Sequence, residues 1–479
     1  MVRSSKMLLS AEFIAEATSG ELISGRAIAA DAGASIDSRT LKKGQVFFAI
    51  QGKHHDGHDF IDEALAKGAA GLVVKNSKAR EIARKIASQE VFLVAVPDTT
   101  QALVDCAHAW VQVLAPLVIA ITGSVGKSTT KEMTASALAR RYKVCASPGN
   151  LNNIYGLSLT CLSLLPEHEI LVVEMGMNHL GEIRQMCSVC KPKFGAVLCV
   201  AHVHLEGLGT LEGVALAKRE LIEELPPDGT AFLNADDPLV MAMRQVTSAR
   251  IVKVGWSSDA DVQILESGIT LDGLTRVRLS AKGQEELIYL RVLGRHHAIH
   301  AAFAFAIAQT LEVPKDDALA AIQACPPLKH RMNLIRTRGI KILDDSYNAS
   351  PKSMEAALEV LSEIGKNSRK VAVLGDMLEL GAYTEQAHMD LGRLCAQKKV
   401  DILIAVGSNA HIVAESAKAS GMPYSNVFVA ADAYGAAELL SALMMEGDTI
   451  LLKGSRKVGL DNLASLLVDA AKVVTQGGS

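Results

Sequence analysis

Short apolar runs alternate with amphipathic stretches along the chain, and this alternation predicts a protein of the α/β class. In the first block, which extends to about residue 114, apolar runs at 45–50, 71–75 and 91–96 predict strands. Helical spacing occurs at 62–67 and 101–113. The first block therefore predicts a small domain of mixed strands and helices.

The second block alternates strands and helices more regularly. After the apolar run at 117–121, strands are predicted at 170–173, 195–200 and 230–233, and each of these three ends in polar residues. Polar groups at the carboxyl ends of parallel strands lie where open sheets bind ligands. The second block therefore predicts a parallel sheet with a ligand site at one edge.

A third block repeats the α/β rhythm from about Lys329. Its predicted strands, at 341–343, 371–374, 402–406 and 449–452, have the spacing of a second doubly wound sheet. A length of 479 residues suits about three domains of ordinary size. The predicted domains are 1–114, 115–328 and 329–479.

Charge and hydropathy exclude two classes of partner. Lys and Arg total 49 against 52 for Asp and Glu, a net charge of −3, which leaves no basic stripe for nucleic acid. The longest apolar run, Ala301–Ala308, is far too short to span a bilayer. We therefore predict no nucleic-acid partner and no membrane insertion.

The N-terminus and the cysteines predict a cytoplasmic location. Met1–Lys6 leads into an amphipathic, Glu-containing segment and not into the apolar core of a signal peptide. Eight scattered cysteines fit reduced thiols. Cys187 and Cys190 form a C-x-x-C without a second pair at zinc-finger distance, so partly buried thiols are favoured over a metal site.

A glycine-rich turn at 122–129 carries the strongest chemical signal. It joins the apolar run at 117–121 to a helical pattern that runs through Met133, Leu138 and Tyr142. Glycines let backbone N–H groups approach phosphate, and the following helix N-terminus favours anions, so phosphate binding is preferred to a chance turn. The spacing is the shorter T-G-x-x-G-K-[ST] form of the phosphate loop. The predicted phosphate-binding residues are Thr122, Gly123, Ser124, Gly126, Lys127, Ser128 and Thr129.

Polar residues at two strand ends of the second block are further candidates. Glu174 directly follows a buried strand beside the phosphate loop, where a carboxylate is a natural magnesium ligand; a helix cap or surface acid is the alternative. His204 follows the next strand, and Lys218 lies on a probable helix. Taken alone, a single histidine is more often structural and a helical lysine is more often solvated.

Three polar motifs also end strands of the third block. They are 344–348, 375–381 and 453–456. Ser350 and Pro351 have the pattern of a helix N-cap and first helical position, which does not explain the polar residues before them. Together the motifs predict a site that faces the nucleotide across a cleft.

The motifs together resemble the Mur ligase family, the ATP-dependent amide-forming enzymes of peptidoglycan assembly. The likeness covers essentially the whole chain and is specific for the members that add D-alanyl-D-alanine. It implies an N-terminal UDP-substrate domain, a central P-loop ATPase domain and a C-terminal domain of the doubly wound, dinucleotide-binding type. The stretches that carry it are 37–39, 149–153, 344–349 and 375–381.

Roles for individual residues follow from the resemblance. Lys127 and Ser128 would bind the phosphates of ATP and magnesium. Glu174 and His204 would be metal ligands, and Lys218 matches a lysine whose carbamate orients a second magnesium ion. Carbamylation requires a neutral amine, and burial or nearby cations lower a lysine pKa.

The resemblance also implies contacts with nucleotide and substrates. Arg331 would contact the γ-phosphate and Asp345 the ribose, whereas Ser38 and Arg39 would hold the UDP end of the substrate. His297 and His300 stand where the family has asparagine, and His300 is the candidate for the adenine contact although imidazole lacks the paired geometry of an amide. The remaining implied substrate contacts are Asn150, Asn153, Asn348, Lys453 and Ser455.

The implied reaction joins D-alanyl-D-alanine to UDP-N-acetylmuramoyl-tripeptide through an acyl phosphate, and we expect a monomer. Two alternatives remain at the level of sequence. One is another amide ligase of the same architecture, which the segment Asp345–Asn348 argues against. The other is a nucleotide-gated regulatory protein that only hydrolyses ATP.

Overall fold

The computed structural model describes residues 9–25, 29–30, 33–337 and 339–463. The stretch Met1–Lys6, used above to predict location, lies outside the described residues. Within the described part the strands form four sheets, and each predicted block contains one of the larger three.

The N-terminal region contains a five-stranded sheet in the order β2-β7-β6-β5-β4, parallel except at β2, and a small antiparallel pair β1-β3. The sheet buries Phe47, Phe48 and Phe92 almost completely. Its elements are β1 (Leu9–Ser10), α1 (Ala11–Ala17), β2 (Glu21–Ser24), β3 (Ala29–Ala30), β4 (Ala34–Ser35), β5 (Val46–Phe48), α2 (Ile61–Ala66), β6 (Gly71–Lys75), α3 (Asn76–Lys85), β7 (Phe92–Val96) and α4 (Thr99–Leu114).

The middle region is built on a nine-stranded sheet in the order β16-β15-β14-β13-β12-β11-β8-β10-β9. Its first elements are β8 (Leu117–Thr122), α5 (Lys127–Leu138), β9 (Val144–Ala146), α6 (Ile154–Leu162), β10 (Ile170–Glu174), α7 (Glu182–Cys190), β11 (Phe194–Val197), α8 (Leu205–Leu208) and α9 (Leu211–Glu223). They continue with β12 (Thr230–Asn234), α10 (Pro238–Ala242), β13 (Arg250–Gly255), β14 (Val262–Ile269), β15 (Thr275–Ala281), β16 (Gln284–Leu290), α11 (His297–Thr310) and α12 (Lys315–Ala324).

The arrangement of β8 in this sheet positions the site. It lies between β10 and β11 with all three strands parallel, and Glu174 at the end of β10 pairs with Ile121. The carboxyl ends of these strands therefore open at one edge, as predicted. The prediction of a parallel sheet was incomplete, because β14, β15 and β16 extend it as an antiparallel meander that the sequence analysis did not identify.

The C-terminal region has a six-stranded sheet in the order β17-β18-β22-β19-β20-β21, parallel except for β17. This agrees with the predicted second doubly wound sheet. Its elements are β17 (Asn333–Thr337), β18 (Ile340–Asp344), α13 (Pro351–Ile364), β19 (Lys370–Gly375), α14 (Thr384–Gln397), β20 (Ile402–Val406), α15 (Ala410–Ala419), β21 (Val427–Ala430), α16 (Ala433–Leu443) and β22 (Thr449–Lys453).

Local predictions can be compared with these elements. Helix α13 begins at Pro351 after a capping box in which Ser350 and Ser353 satisfy each other's backbone, so the predicted N-cap is confirmed. Helix α5 ends at Leu138, earlier than the predicted pattern, and Tyr142 instead donates its hydroxyl proton to the Leu311 carbonyl at 2.7 Å. Beyond Leu138, the apolar pattern therefore reflects the packing of Tyr142 and not a continuation of the helix.

The C-x-x-C pair is part of the packing of the middle region. Cys187 and Cys190 are fully buried in α7, and burial raises the pKa of both thiols well above the usual value, so they are protonated packing residues.

The apolar run at 301–308 is the interior of α11, packed against α5. Every helix in the described ranges is too short or too polar to cross a membrane.

Candidate active site

The phosphate loop leaves β8 and enters α5 at Lys127, with Gly126 as the residue before the helix. Gly126 has φ +87°, and a Cβ there would lie 2.1 Å from Nε2 of His300. Glycine is therefore required both for the backbone conformation and for the approach of α11. The loop presents the free N–H groups of a helix N-terminus, which is an anion-binding arrangement.

Lys127 is held inside this loop. Its ammonium donates to the Gly123 carbonyl at 2.8 Å. Burial lowers its pKa, and the carboxylate of Glu174 works in the opposite direction. The side chain is therefore kept close to the position where phosphate would bind.

Glu174 is a buried carboxylate with both oxygens engaged. Ser128 donates its hydroxyl proton to Oε2 at 2.7 Å, and Asn152 donates from Nδ2 to Oε1 at 2.7 Å. The residue is 2 % exposed, so these two donors replace the water it has lost. Ser128 and Glu174, each predicted separately as a magnesium ligand, contact each other directly, and Asn152 from the predicted motif 149–153 completes the group.

The loop that carries Asn152 is tied to α5 by a buried cation that sequence analysis missed. Lys131 is fully buried, and its ammonium donates to the carbonyls of Ser147 and Gly149. Its position one helical turn after Lys127 is the only sequence signal for this role. Lys131 therefore links the phosphate loop to the asparagine-rich loop.

Three predicted ligand-binding residues have structural contacts. Thr122 donates to the Met175 carbonyl at 2.8 Å, and Ser124 donates to the Ala201 carbonyl at 3.2 Å. Asn153 is the N-cap of α6, where its side chain accepts from the Gly156 N–H at 2.9 Å. These contacts fix the loops around the site.

Lys218 lies on α9 and is 1 % exposed. Among the described residues, the one hydrogen-bond partner of its amine is the thioether of Met177, at 3.4 Å. Burial, followed by the nearby charge of Lys127, lowers the pKa of Lys218 well below its usual value. Burial thus favours the neutral form of this amine, which is the form that carbamylation requires.

His204 meets the C-terminal region directly. Its Nδ1 lies 2.7 Å from Oε2 of Glu379. Burial, and then Lys127, lowers the pKa of His204, against the effect of Glu379. The imidazole is therefore neutral near pH 7, the form in which histidine binds metals.

The C-terminal region contributes a cation to the phosphate loop. Arg331 donates from Nη2 to the hydroxyl of Ser128 at 3.2 Å, and its guanidinium lies 4.1 Å from the ring centroid of Tyr347. Asp345 accepts from the Met332 N–H at 3.1 Å and from Lys453 at 2.6 Å. Arg331 is thus positioned by the strand-end motif that contains Asp345.

Two predicted acceptor-site residues also hold backbone. Lys453, besides Asp345, donates to the Asn348 carbonyl at 2.9 Å. Ser455 accepts from the Leu378 N–H at 3.0 Å and so fixes the loop after β19. Both side chains are almost fully buried.

A cavity of about 1030 Å³ lies between the middle and C-terminal regions and collects most of the predicted residues. Trp256, 44 % exposed, is also in its wall. The predicted residues in the wall are Ser124, Gly126, Lys127, Ser128, Thr129, Asn150, Glu174, His204, His300, Arg331, Asp345, Asn348, Lys453 and Ser455. Those outside it are Thr122, Gly123, Asn153, Lys218, Ser38 and Arg39.

Ser38 and Arg39 belong to the N-terminal region. Ser38 donates to Glu63 at 2.7 Å, and Arg39 pairs with Asp37 at 2.8 Å with its side chain 81 % exposed. They are not brought together with the phosphate loop. A ligand that touched both regions would have to be extended.

Histidines at the start of α11 form one wall of the cavity. Nδ1 of His297 and Nδ1 of His300 are 3.1 Å apart, so one nitrogen donates and the other accepts. Burial lowers the pKa of His300 to about 3 and that of His296 to about 4, so both are neutral. Nε2 of His297 is buried without a hydrogen-bond partner in the described structure. The hydrogen bond within the pair leaves a proton on one Nε2 and a lone pair on the other.

The side chains by themselves do not form a cage of protein carboxylates, thiols and imidazoles. Across the described ranges, no three His, Cys, Asp or Glu side chains are grouped so that they could hold a metal ion. The predicted metal set therefore depends on the Ser128 hydroxyl and on a carbamate at Lys218. That donor set fits the buried Glu174–Ser128 pair. It also fits the Lys218 amine, whose one hydrogen-bond partner in the described structure is a thioether.

Family models match all three regions of the chain. The model described as "Mur ligase family, catalytic domain" matches residues 32–115, "Mur ligase middle domain" matches 121–308, and "Mur ligase, glutamate ligase domain" matches 330–456. The resemblance noted from the motifs is thus reproduced along the chain.

Curated relatives cover nearly the full length. The UDP-N-acetylmuramoyl-tripeptide–D-alanyl-D-alanine ligase of Escherichia coli (strain K12) is 34 % identical over 459 residues, 94 % of this chain and 96 % of the relative. The protein of the same name from Bacillus subtilis (strain 168) is 31 % identical over 439 residues, 91 % and 93 % of the two chains.

Solved structures agree in fold. MurF from Acinetobacter baumannii superposes with a TM-score of 0.83 at 30 % identity, covering 97 % of this chain and 99 % of that one. MurF ligase from Thermotoga maritima in complex with ADP superposes with a TM-score of 0.75 at 26 % identity, covering 90 % of this chain and 96 % of that one. With its three matched domains and its relatives above 30 % identity over nine tenths of its length, the chain belongs to the Mur ligase family.

Proposed function

We propose that the protein is an ATP-dependent ligase that joins D-alanyl-D-alanine to UDP-N-acetylmuramoyl-tripeptide. The observation that carries the proposal is the cavity where the phosphate loop, Glu174 and Arg331 meet from two regions. The names of the curated relatives supply the substrate class. The product would be the pentapeptide precursor of peptidoglycan.

The reaction has two steps. The terminal carboxylate of the tripeptide attacks the γ-phosphorus of ATP, which gives an acyl phosphate and ADP. The amine of D-alanyl-D-alanine then attacks the acyl carbon, loses a proton, and phosphate leaves from the tetrahedral intermediate. The first step brings two anions together, so it needs concentrated positive charge.

The chain's own cations can supply part of this charge. Lys127 lies inside the phosphate loop, and Arg331 reaches the same loop from the C-terminal region. With phosphate present, the Lys127 ammonium would exchange the Gly123 carbonyl for phosphate oxygens. Arg331 would neutralise the γ-phosphoryl group only while the C-terminal region is docked.

Magnesium fits the donor set described above. The proposed ligands are Ser128, Glu174, His204 and carbamylated Lys218, divided between two ions. When bound, magnesium neutralises phosphate charge and orients the phosphoryl group for attack. If Ser128 gave up its hydrogen bond to Glu174 in order to bind magnesium, Asn152 would still hold the Glu174 carboxylate in place.

The remaining contacts are also proposals. Ser38 and Arg39 would hold the UDP end, which agrees with an extended substrate that reaches from the N-terminal region to the cavity. Asn150, Asn348, Lys453 and Ser455 would line the path of the peptide and dipeptide. His300 would face adenine, and Asp345 the ribose. We also propose the domain limits 1–114, 115–328 and 329–479, a monomeric state and a cytoplasmic location, where ATP and nucleotide-linked precursors are available.

The test is phosphate release with ATP, magnesium and UDP-N-acetylmuramoyl-tripeptide, with and without D-alanyl-D-alanine. Dipeptide-dependent release, with the pentapeptide detected by mass, is the expected result. Release that ignores the dipeptide would favour a nucleotide hydrolase. If the protein instead required a diamino acid and the nucleotide that carries only a dipeptide, it would be another ligase of the same architecture.

A further inference from the structure

Two residues with unfavourable backbone conformations face each other across the middle and C-terminal regions. His204, in the loop after β11, has φ 54°, and Glu379, in the loop after β19, has φ 63°. Residues other than glycine rarely adopt this left-handed backbone conformation. The strain persists only where the surrounding structure imposes it. Their meeting therefore calls for a functional explanation.

The contact between these loops involves more than one atom pair. Besides the 2.7 Å distance from His204 Nδ1 to Glu379 Oε2, the Glu206 N–H donates to the Glu379 carbonyl at 3.4 Å. The rings of His202 and Tyr383 stack with centroids 4.4 Å apart. We call residues 202–207 and 378–383 the interdomain latch.

The Glu379 side of the latch is held rigidly within its own region. The Met377 N–H donates to Nε2 of His388 at 3.1 Å, and Nδ1 of His388 donates to the Thr384 carbonyl at 2.6 Å. The Leu378 N–H donates to Ser455 at 3.0 Å. The position of Glu379 thus follows the position of the whole C-terminal region.

The contact also fixes which nitrogen of His204 carries the proton. A carboxylate can only accept, so Nδ1 of His204 must be the donor. A neutral imidazole has one N–H, and Nε2 is left with its lone pair. A ring held in this way by a carboxylate is the usual support of a metal-binding histidine.

We propose that Glu379 is the positioning residue of His204: by accepting the Nδ1 proton across the domain boundary, it presents Nε2 to a divalent cation. The proposal rests on the proposed function only in taking His204 as a metal ligand. Glu379 lies in the wall of the cavity, and its proposed role is exerted through His204. Because Glu379 moves with the C-terminal region, the metal site is complete only when that region is docked.

The test measures Mn²⁺ binding in the presence of a β,γ-methylene analogue of ATP, by electron paramagnetic resonance titration. Glu379→Ala should weaken Mn²⁺ binding by about 10–100-fold, the usual effect of removing such a support. Glu379→Gln should stay close to wild type, because its amide oxygen still accepts from Nδ1. Glu385→Ala, which removes an exposed carboxylate from the start of α14, is the matched control and should have no effect.

A second measurement separates positioning from a general structural effect. The ring nitrogens of His204, assigned by comparison with His204→Gln, should show the Nδ1–H tautomer in wild type and Glu379→Gln and a mixture of tautomers in Glu379→Ala. Wild-type Mn²⁺ affinity together with an unchanged tautomer in Glu379→Ala would overturn the proposal. If wild type made no dipeptide-dependent product, the proposed function would fail instead, and the tautomer measurement would still judge the role of Glu379.

Discussion

At the scale of single residues, Lys218 shows how an unusual environment indicates chemistry. A lysine is almost never fully buried unless it is paired, yet among the described residues the one hydrogen-bond partner of this amine is a thioether. Conversion to a carbamate would replace this buried amine by an anion that attracts Lys127 and magnesium.

We expect Lys218→Ala to lose most ligase activity and to regain part of it when short carboxylates such as formate or acetate are added. The small acid can enter the space left by the side chain and replace the carbamate oxygens. Steady-state rates against carboxylate concentration measure the rescue, with Lys193→Ala, on the surface beside Asp228, as the control that should not respond. A variant without any rescue would argue against the carbamate.

We expect Lys127→Ala to reduce turnover by at least about 10²-fold, since one preorganised charge at a reacting group is worth that much. Folding should be retained, because the ammonium's hydrogen bond is to a loop carbonyl and its desolvation disfavours the charged form. Turnover by phosphate release and the thermal melting temperature are the two measurements. A large fall in melting temperature would assign the residue a structural role as well.

At the scale of secondary-structure elements, the histidines of α11 link the site to stability. His296, His297 and His300 are neutral in the fold because burial lowers the pKa of each. In the unfolded chain they take up protons near pH 6.5. The unfolded state therefore binds more protons below that pH, and stability falls as the pH is lowered.

We expect the double variant His297→Asn, His300→Asn to make the free energy of unfolding depend less steeply on pH between about 4 and 6.5. Each buried histidine contributes a slope of up to about 1.4 kcal/mol per pH unit in that window. Urea unfolding at several pH values measures the slope, and His411→Asn, at an exposed position on α15, should leave it unchanged. Equal slopes in the double variant and wild type would contradict the assignment.

Elements with strong local signals were predictable. The phosphate loop and the strands at 71–75 and 402–406 agree with the structure because apolar runs and glycine turns act locally. The meander β14–β16 was missed although β15 alternates buried Val277 and Leu279 with exposed Arg276 and Arg278. Such alternation indicates a half-exposed strand, whereas the strands predicted in this block are wholly apolar runs.

Contacts between regions were not predictable in the same way. Arg331 and Ser128 are 203 positions apart, and His204 and Glu379 are 175 apart. Neither pair has any local spacing to reveal it, because each depends on how two separately folded sheets dock. The roles of Arg331 and His204 came from the family resemblance, whereas Glu379 was predicted only as a member of the motif 375–381 and without a role.

At the scale of the whole molecule, the site is divided between the middle and C-terminal regions. Since we propose that Arg331 and Glu379 act only when the C-terminal region is docked, binding of nucleotide and tripeptide should favour the closed arrangement. All eight cysteines are buried, so dyes can be placed selectively on introduced surface thiols.

We expect Ser248→Cys and Ser420→Cys, one exposed position in each region, to report this change by single-molecule energy transfer. The ATP analogue with magnesium and tripeptide should narrow the distribution of distances, and ADP alone should narrow it less. Identical distributions in all conditions would show that docking does not depend on ligands.

The placement of Trp256 has a practical consequence. The chain has two tryptophans, and Trp110 is 3 % exposed with its indole N–H bonded to the Leu164 carbonyl at 3.0 Å, whereas Trp256 stands half-exposed in the wall of the nucleotide cavity. Emission from Trp110 should form a constant background, and quenching or a wavelength shift from Trp256 should follow occupancy of the cavity. The protein thus carries an intrinsic fluorophore with which ligand affinity can be titrated without a label and without turnover.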